Sequence, residues 1–161
     1  MNNGIQSLPF NAFGKCAIIF VGLQASGKTS FYQQMLVDKG FVHINLDTLH
    51  TRNKEHLLME ECVRQSQSVV IDNTNPTAAD RERYIPFFKA HGYHIIGLYF
   101  QSRLQECLAR NEQRERVVKR LAVLGTYNKL QLPQLAEGFD DRYYITLNNN
   151  NFTINTWQNE I

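Results

Sequence analysis

The segment from Gly22 to Thr29 constrains this chain more than any other. Gly22, Leu23, Gln24, Ala25, Ser26, Gly27, Lys28 and Thr29 fit the pattern G-x-x-x-x-G-K-[ST] in full, and Ser30 carries the chain on into a helical pattern. The run before it, Cys16-Ala-Ile-Ile-Phe-Val21, is apolar and of strand length. Strand, glycine-bearing loop and helix in that order make a cradle for phosphate. The glycines let backbone N–H groups turn inward, and the helix N-terminus adds its positive end. Gly22 to Ser30 would therefore bind a nucleoside triphosphate such as ATP. Lys28 would reach its β- and γ-phosphates, and the Thr29 hydroxyl would hold Mg²⁺. A chance match in a turn would have no reason to carry both the strand and the helix. The loop is silent on what receives the phosphate.

The rest of the chain alternates in the same way. Phe41 to Leu46, Ser68 to Ile71, Tyr93 to Phe100 and, more weakly, Tyr143 to Leu147 read as strands. Lys28 to Asp38, Lys54 to Gln65, Thr77 to His91, Arg103 to Arg116 and Val118 to Lys129 read as helices. The runs ending at Val21, Ile71 and Phe100 are apolar on both faces, as strands inside a parallel sheet are. The expectation is an α/β fold: a doubly wound parallel five-stranded sheet with helices on both faces and a short arginine-bearing lid. At 161 residues and 43% hydrophobic content, one domain over 1–161 accounts for the chain. The ends, about 1–8 and 148–161, are polar enough to be held loosely.

Charge and cysteine content exclude several classes. Seventeen Lys and Arg against fifteen Asp and Glu give a net charge of +2, which is neither a basic nucleic-acid coat nor an acidic tail. No apolar run approaches the roughly 18 residues that span a bilayer, and the first residues do not read as a signal peptide. Three scattered cysteines, Cys16, Cys62 and Cys107, fit a cytoplasmic, reducing location better than a disulfide framework or a zinc site.

In an open α/β sheet, ligand-binding residues gather beyond the carboxyl ends of the strands. Asp47 follows the second expected strand and Asp72 the third. One carboxylate can orient an acceptor hydroxyl, and the other can bind Mg²⁺, directly or through water. The competing view makes each a cap or turn residue, a common use of Asp. His50, three residues after Asp47, is a further candidate for touching the acceptor. Between Arg103 and Arg120 stand six basic residues against three acidic ones. Arg110 and Arg114 are four apart, which places two guanidinium forks on one helix face, suited to donor phosphates. The plainer alternative is a solvated face laced with Glu–Arg pairs.

These blocks together resemble the kinase domain of polynucleotide 5′-kinases, in the form that joins a 5′-kinase to a 3′-phosphatase. The resemblance runs from about Ile18 to Phe139. It rests on Gly22 to Thr29, on Gly40-Phe-Val-His-Ile-Asn45-Leu-Asp47-Thr-Leu49, on Val70-Ile-Asp72-Asn-Thr-Asn-Pro76 through Arg81, and on Pro133 to Phe139. It implies that Asp47 is the general base toward a 5′-hydroxyl. It also implies that Arg110 and Arg114, in Arg110-Asn-Glu-Gln-Arg114, bind the ATP phosphates. Two departures stand out. Leu46 occupies a place where the family usually has arginine, which removes a possible contact to a nucleic-acid phosphate. Val117-Val118 lacks the proline that normally follows the lid arginines. The D-x-D pattern of the phosphatase half does not occur in the sequence, and no ligase lysine motif is evident. Phosphatase or ligase activity would then be expected from repair or processing partners.

The expected activity is transfer of the ATP γ-phosphate to a 5′-hydroxyl end of DNA or RNA, with catalytic residues Lys28, Asp47, Arg110 and Arg114, and with Thr29 and Asp72 toward Mg²⁺. One alternative is a P-loop phosphotransferase acting on a small-molecule hydroxyl, which Leu46 and the near-neutral charge favour. Another is a non-catalytic ATP-binding module, against which the joint presence of Lys28, Thr29 and Asp47 argues.

Overall fold

A strand that is apolar on both faces needs cover on both sides, and the chain supplies it. The computed structural model describes residues 14–157. Six strands, β1 (Cys16–Val21), β2 (Val42–Ile44), β3 (Val69–Ile71), β4 (His94–Phe100), β5 (Asp141–Asn148) and β6 (Asn151–Thr156), form one sheet in the order β2-β3-β1-β4-β5-β6. The first five are parallel, and β6 runs antiparallel to β5. All six residues of β1 are buried. Ile18 lies between Val70 and Ile96 in the register, so β1 is central and its carboxyl end opens the phosphate loop.

Alternate residues of β1 enter two cores. Cys16, Ile18 and Phe20 pack with Phe31, Tyr32 and Leu36 of the segment after the loop. That segment begins as α1 (Lys28–Phe31), continues as a π-helical turn (Tyr32–Leu36) and a 3₁₀ turn (Val37–Lys39), and stops at Gly40 with φ +80°. On the other face, Ala17 and Ile19 meet Met59 and Cys62 of α3 (Arg52–Arg64), and Ile85 and Phe88 of α5 (Ile85–Ala90). The helix expected over 77–91 is broken between α4 (Ala78–Glu82) and α5. Pro86, in the first turn of α5, has no N–H to give the Glu82 carbonyl, so a continuous helix would lose that bond. A single turn, α2 (Leu46–Leu49), follows β2 and was not expected.

The polar end, expected to be loose from Asn148, holds a strand instead. Asn149 (φ +49°) and Asn150 (φ +63°) form a two-residue turn with both residues left-handed. Asparagine tolerates that conformation, and it matches the twist of a hairpin. Phe152 and Ile154 of β6 then pack on the first core, with the Phe152 ring 5.3 Å from that of Phe31. The expected five-stranded sheet is therefore six-stranded. Residues 1–8, also expected to be loose, and 158–161 lie outside the described residues.

A third cluster joins the lid to the phosphate loop: Leu23 packs with Cys107 and Leu108 of α6 (Leu104–Glu112) and Val123 of α7 (Arg120–Lys129). The block from Pro133 to Phe139 also acquires a role. Arg81 is fully buried, and its guanidinium donates to both Glu137 oxygens at 2.7 and 2.9 Å and to the Asn75 and Gln131 carbonyls. Phe139 lies over Gly97, where an added Cβ would come within 2.9 Å of its ring.

Candidate active site

The phosphate loop takes its shape from tight approaches. A Cβ on Gly22 would lie 2.9 Å from Ser26 Oγ and 3.0 Å from Phe100 Cβ. Gly27 has φ +103° and sits under the Phe152 ring, so a side chain there meets both backbone strain and contact. The Gly22 N–H donates to the Thr74 carbonyl at 3.0 Å, and the Leu23 N–H to Ser102 Oγ at 3.0 Å. The loop is thus tied to the ends of both neighbouring strands.

Lys28 is buried, and its ammonium donates to the Gly22 carbonyl at 3.0 Å, the Leu23 carbonyl at 2.6 Å and Ser26 Oγ at 3.4 Å. Burial lowers its pKa to about 8, with the Asp72 carboxylate opposing the shift. An incoming triphosphate would supply the anion that the buried ammonium lacks.

Thr29 Oγ1 donates to Asp72 Oδ2 at 2.8 Å. Asp72 is buried just past β3, where its N–H donates to the Ile44 carbonyl at 2.8 Å. His43 Nε2 lies 2.7 Å from the same Oδ2, and its ring is stacked on Tyr32. A hydroxyl and a carboxylate oxygen this close fit Mg²⁺, which takes one or two protein oxygens and fills the remaining positions with water and phosphate. No group of three or more His, Cys, Asp or Glu that could cage a metal occurs among the described residues.

Asp47 is exposed in α2, on the wall of the cleft that also holds Lys28 and Thr29. It does not cap its helix. Asn45 is the N-cap, its side chain accepting from the Thr48 N–H at 3.2 Å. The Asp47 carboxylate makes no hydrogen bond or ion pair among the described residues, so it is open to a ligand. Asn73 fixes this wall by accepting from the Leu46 N–H at 3.0 Å. Turn work after β3 also falls to another residue: Asn75, with φ +44°, donates to the Phe20 carbonyl at 2.8 Å.

The lid differs from the expected helix. α6 ends at Glu112, so Arg110 lies in its last turn and Arg114 in the loop beyond. The cause is Asn111, buried, whose amide donates to the Val118 carbonyl at 2.7 Å and accepts from its N–H at 3.0 Å. That pair folds the chain back toward α7. Arg110 and Arg114 still line the same cleft, and Arg110 Nη1 lies 3.3 Å from the Ala25 carbonyl. Arg116 joins them there. Arg103 and Arg110 both pair with Glu106, at 3.5 and 3.4 Å, the solvated-face behaviour, but of the two only Arg110 also lines the cleft. His50, at the left-handed end of α2, is also outside it.

The cleft measures about 800 Å³ and brings the phosphate loop, Asp47, Asp72, Arg110 and Arg114 to one space. It also holds residues that sequence reasoning passed over, among them Arg52, Asn73, Lys129 and Asn150. One signal was readable. Glu55, Met59 and Cys62 share a face of α3 and are all buried, so a carboxylate stands where the helix turns to the core.

Residues 18–130 match the AAA domain family. The chain is 31% identical over 137 residues to the bifunctional polynucleotide phosphatase/kinase of Schizosaccharomyces pombe (strain 972 / ATCC 24843), covering 84% of this chain and 31% of that protein. It thus spans about a third of the length of that relative. Among solved structures it is similar to Kti12 from Chaetomium thermophilum in complex with ADP-AlF3, with a TM-score of 0.64 and 16% identity over 81% of this chain and 88% of the other. It is also similar to a gluconokinase from Sinorhizobium meliloti 1021, with a TM-score of 0.59 and 14% identity over 83% of each chain. No helix among the described residues is long and apolar enough to cross a membrane. The chain belongs to the AAA domain family and has the P-loop kinase fold.

Proposed function

We propose that the protein is an ATP-dependent polynucleotide 5′-hydroxyl kinase. It is a phosphotransferase, and the observation that carries the reading is Asp47: an unpaired carboxylate on the open wall of the cleft that holds Lys28 and the Thr29–Asp72 pair. In the reaction, the acceptor oxygen forms a bond to the γ-phosphorus as the bond to the β–γ bridging oxygen breaks, and ADP leaves. Asp47 accepts the hydroxyl proton. An ordinary Asp is a weak base for an alcohol, so its main contribution is to aim the oxygen, with proton transfer late in a loose transition state. Lys28, Arg110 and Arg114 neutralise charge on the transferring group. Mg²⁺, held toward Thr29 and Asp72 with the nucleotide, would screen the phosphate charge and help to orient the triphosphate.

The nucleic-acid acceptor rests on the 31% identity to a polynucleotide phosphatase/kinase and on the motif blocks around Asp47 and Asp72. A small-molecule acceptor is the second reading, favoured by Leu46 beside Asp47 and compatible with a fold shared with a gluconokinase. Salt separates the two. Contact with several backbone phosphates releases counterions, so KM for an oligonucleotide should rise steeply with salt, whereas KM for a neutral polyol should barely move. ATP turnover that no 5′-hydroxyl oligonucleotide stimulates, at low salt, would favour the small-molecule reading.

A further inference from the structure

The wall that carries Asp47 also carries a cation with donors to spare. Arg52, the first residue of α3, lines the cleft beside Asn45, Leu46 and Asp47. Its Nη1 donates to Glu55 Oε1 at 2.8 Å and to the Tyr84 hydroxyl at 2.9 Å. Glu55 and Tyr84 are each 1% exposed, while the Arg52 side chain is 49% exposed. The Tyr84 hydroxyl donates to Glu55 Oε2 at 3.0 Å, and Asn73 Nδ2 reaches both, at 3.1 and 3.2 Å. Since Asn73 also holds the Leu46 N–H, one buried carboxylate fixes the guanidinium and the backbone that presents Asp47.

Arg52 Nε and Nη2 make no hydrogen bond among the described residues. A guanidinium has five N–H donors in a rigid fork, and anchoring through one nitrogen leaves the others set in direction. Lys28, Arg110, Arg114 and Arg116 lie on the side of the phosphate loop and the lid, where the donor triphosphate would sit. Arg52 lies on the acceptor side. A neutral sugar hydroxyl can accept a single hydrogen bond from a half-exposed, oriented guanidinium but matches neither its charge nor its fork. A strand with a 5′-hydroxyl does, because its first phosphodiester lies one nucleoside from the reacting oxygen.

We propose that Arg52, held by Glu55 and Tyr84, binds the first phosphodiester of the acceptor strand, so that the site selects a hydroxyl accompanied by its own anionic phosphate. This rests on the polynucleotide reading above and assigns to α3 the contact that Leu46 cannot make. The plainer alternative is that Arg52 only neutralises buried Glu55.

The test compares two 5′-hydroxyl oligonucleotides that differ only in the first linkage, one an ordinary phosphodiester and the other an uncharged methylphosphonate, with wild type and Arg52→Gln. For wild type, kcat/KM should fall about 10- to 100-fold with the neutral linkage, mainly through KM, the usual span for a charged hydrogen bond. Arg52→Gln should lose a similar factor on the phosphodiester and little more on the methylphosphonate, with KM for ATP unchanged. Arg52→Lys, which keeps the charge without the fork, should recover part of the loss. Equal wild-type efficiency on the two oligonucleotides overturns this assignment alone. So does an Arg52→Gln enzyme that pays the full methylphosphonate penalty. No transfer to either oligonucleotide overturns the polynucleotide reading and this assignment together. The wild-type comparison decides the matter even if a variant fails to fold.

Discussion

Asp47 and Asn45 divide two tasks that the sequence alone leaves on one residue. Asn45 caps α2, and Asp47 is left unpaired in the cleft. Asp47→Asn should therefore leave thermal stability and ATP affinity nearly unchanged and lower phosphoryl transfer by about 10²- to 10⁴-fold, the span for losing a general base. Asn45→Ala should cost about 1–3 kcal/mol of stability, through the lost cap and the lost bond from Nδ2 to the Asp72 carbonyl at 2.6 Å. Calorimetry beside single-turnover transfer separates the two effects, and an Asp47→Asn enzyme with near-normal transfer would leave Asp47 without a chemical role. Asp72→Asn should act differently. Thr29 keeps its hydroxyl, but the carboxylate oxygen beside it is gone. The Mg²⁺ concentration for half-maximal rate should rise, and added Mg²⁺ should restore part of the rate. A uniform loss of rate at every Mg²⁺ concentration would count against Asp72 as a metal-side residue. At this scale the placement of the phosphate loop and both aspartates on one cleft was readable, because each follows the carboxyl end of a strand. The group of Arg52, Glu55, Asn73 and Tyr84 was not, because it joins residues up to 32 positions apart whose contact exists only after folding.

Among elements, the lid shows where local pattern misleads. The four-residue spacing of Arg110 and Arg114 fits a helix face, yet the helix ends at Glu112 because the Asn111 amide captures the Val118 backbone. A polar side chain that satisfies two backbone groups can outweigh one more helical turn. Asn111→Ala should then cost about 1–3 kcal/mol, since two Val118 groups lose a partner. It should also lower kcat, because the loop that carries Arg114 loses its tie. Arg114→Ala should lower kcat by about 10²-fold or more with little change in melting temperature. Steady-state rates beside melting curves distinguish the pair, and an Arg114→Ala enzyme within about twofold of wild type would reduce the lid arginines to a solvated face. The hairpin teaches the converse. Asn149-Asn150 followed by Phe152 and Ile154 carries a turn and an alternation that are legible in retrospect. The polar residues between them hid that pattern behind the composition of a loose tail. The buried strands β1, β3 and β4 were readable because a continuous apolar run has no other stable place.

At the scale of the molecule, the strand order places β1 and β3 side by side, so the phosphate loop after one and Asp72 after the other share an edge of the cleft. β2 lies beyond β3 and brings Asp47 to the far wall. The fully buried Arg81, bonded to Glu137, ties the segment after β3 to the segment before β5. The phosphate loop, Asp72 and Asp47 thus follow strands of one sheet, and Arg110 and Arg114 line the same cleft from the lid. The reaction proposed for this cleft moves the γ-phosphate from ATP to a 5′-hydroxyl. The most direct test supplies γ-³²P-labelled ATP and a 5′-hydroxyl oligonucleotide, then digests the product to mononucleotides. All transferred label should be recovered on the 5′ position of the original terminal nucleotide, and none should be transferred to an oligonucleotide that already carries a 5′-phosphate. Label found only in inorganic phosphate, or on an added small polyol while the oligonucleotide stays unlabelled, would contradict the proposed reaction.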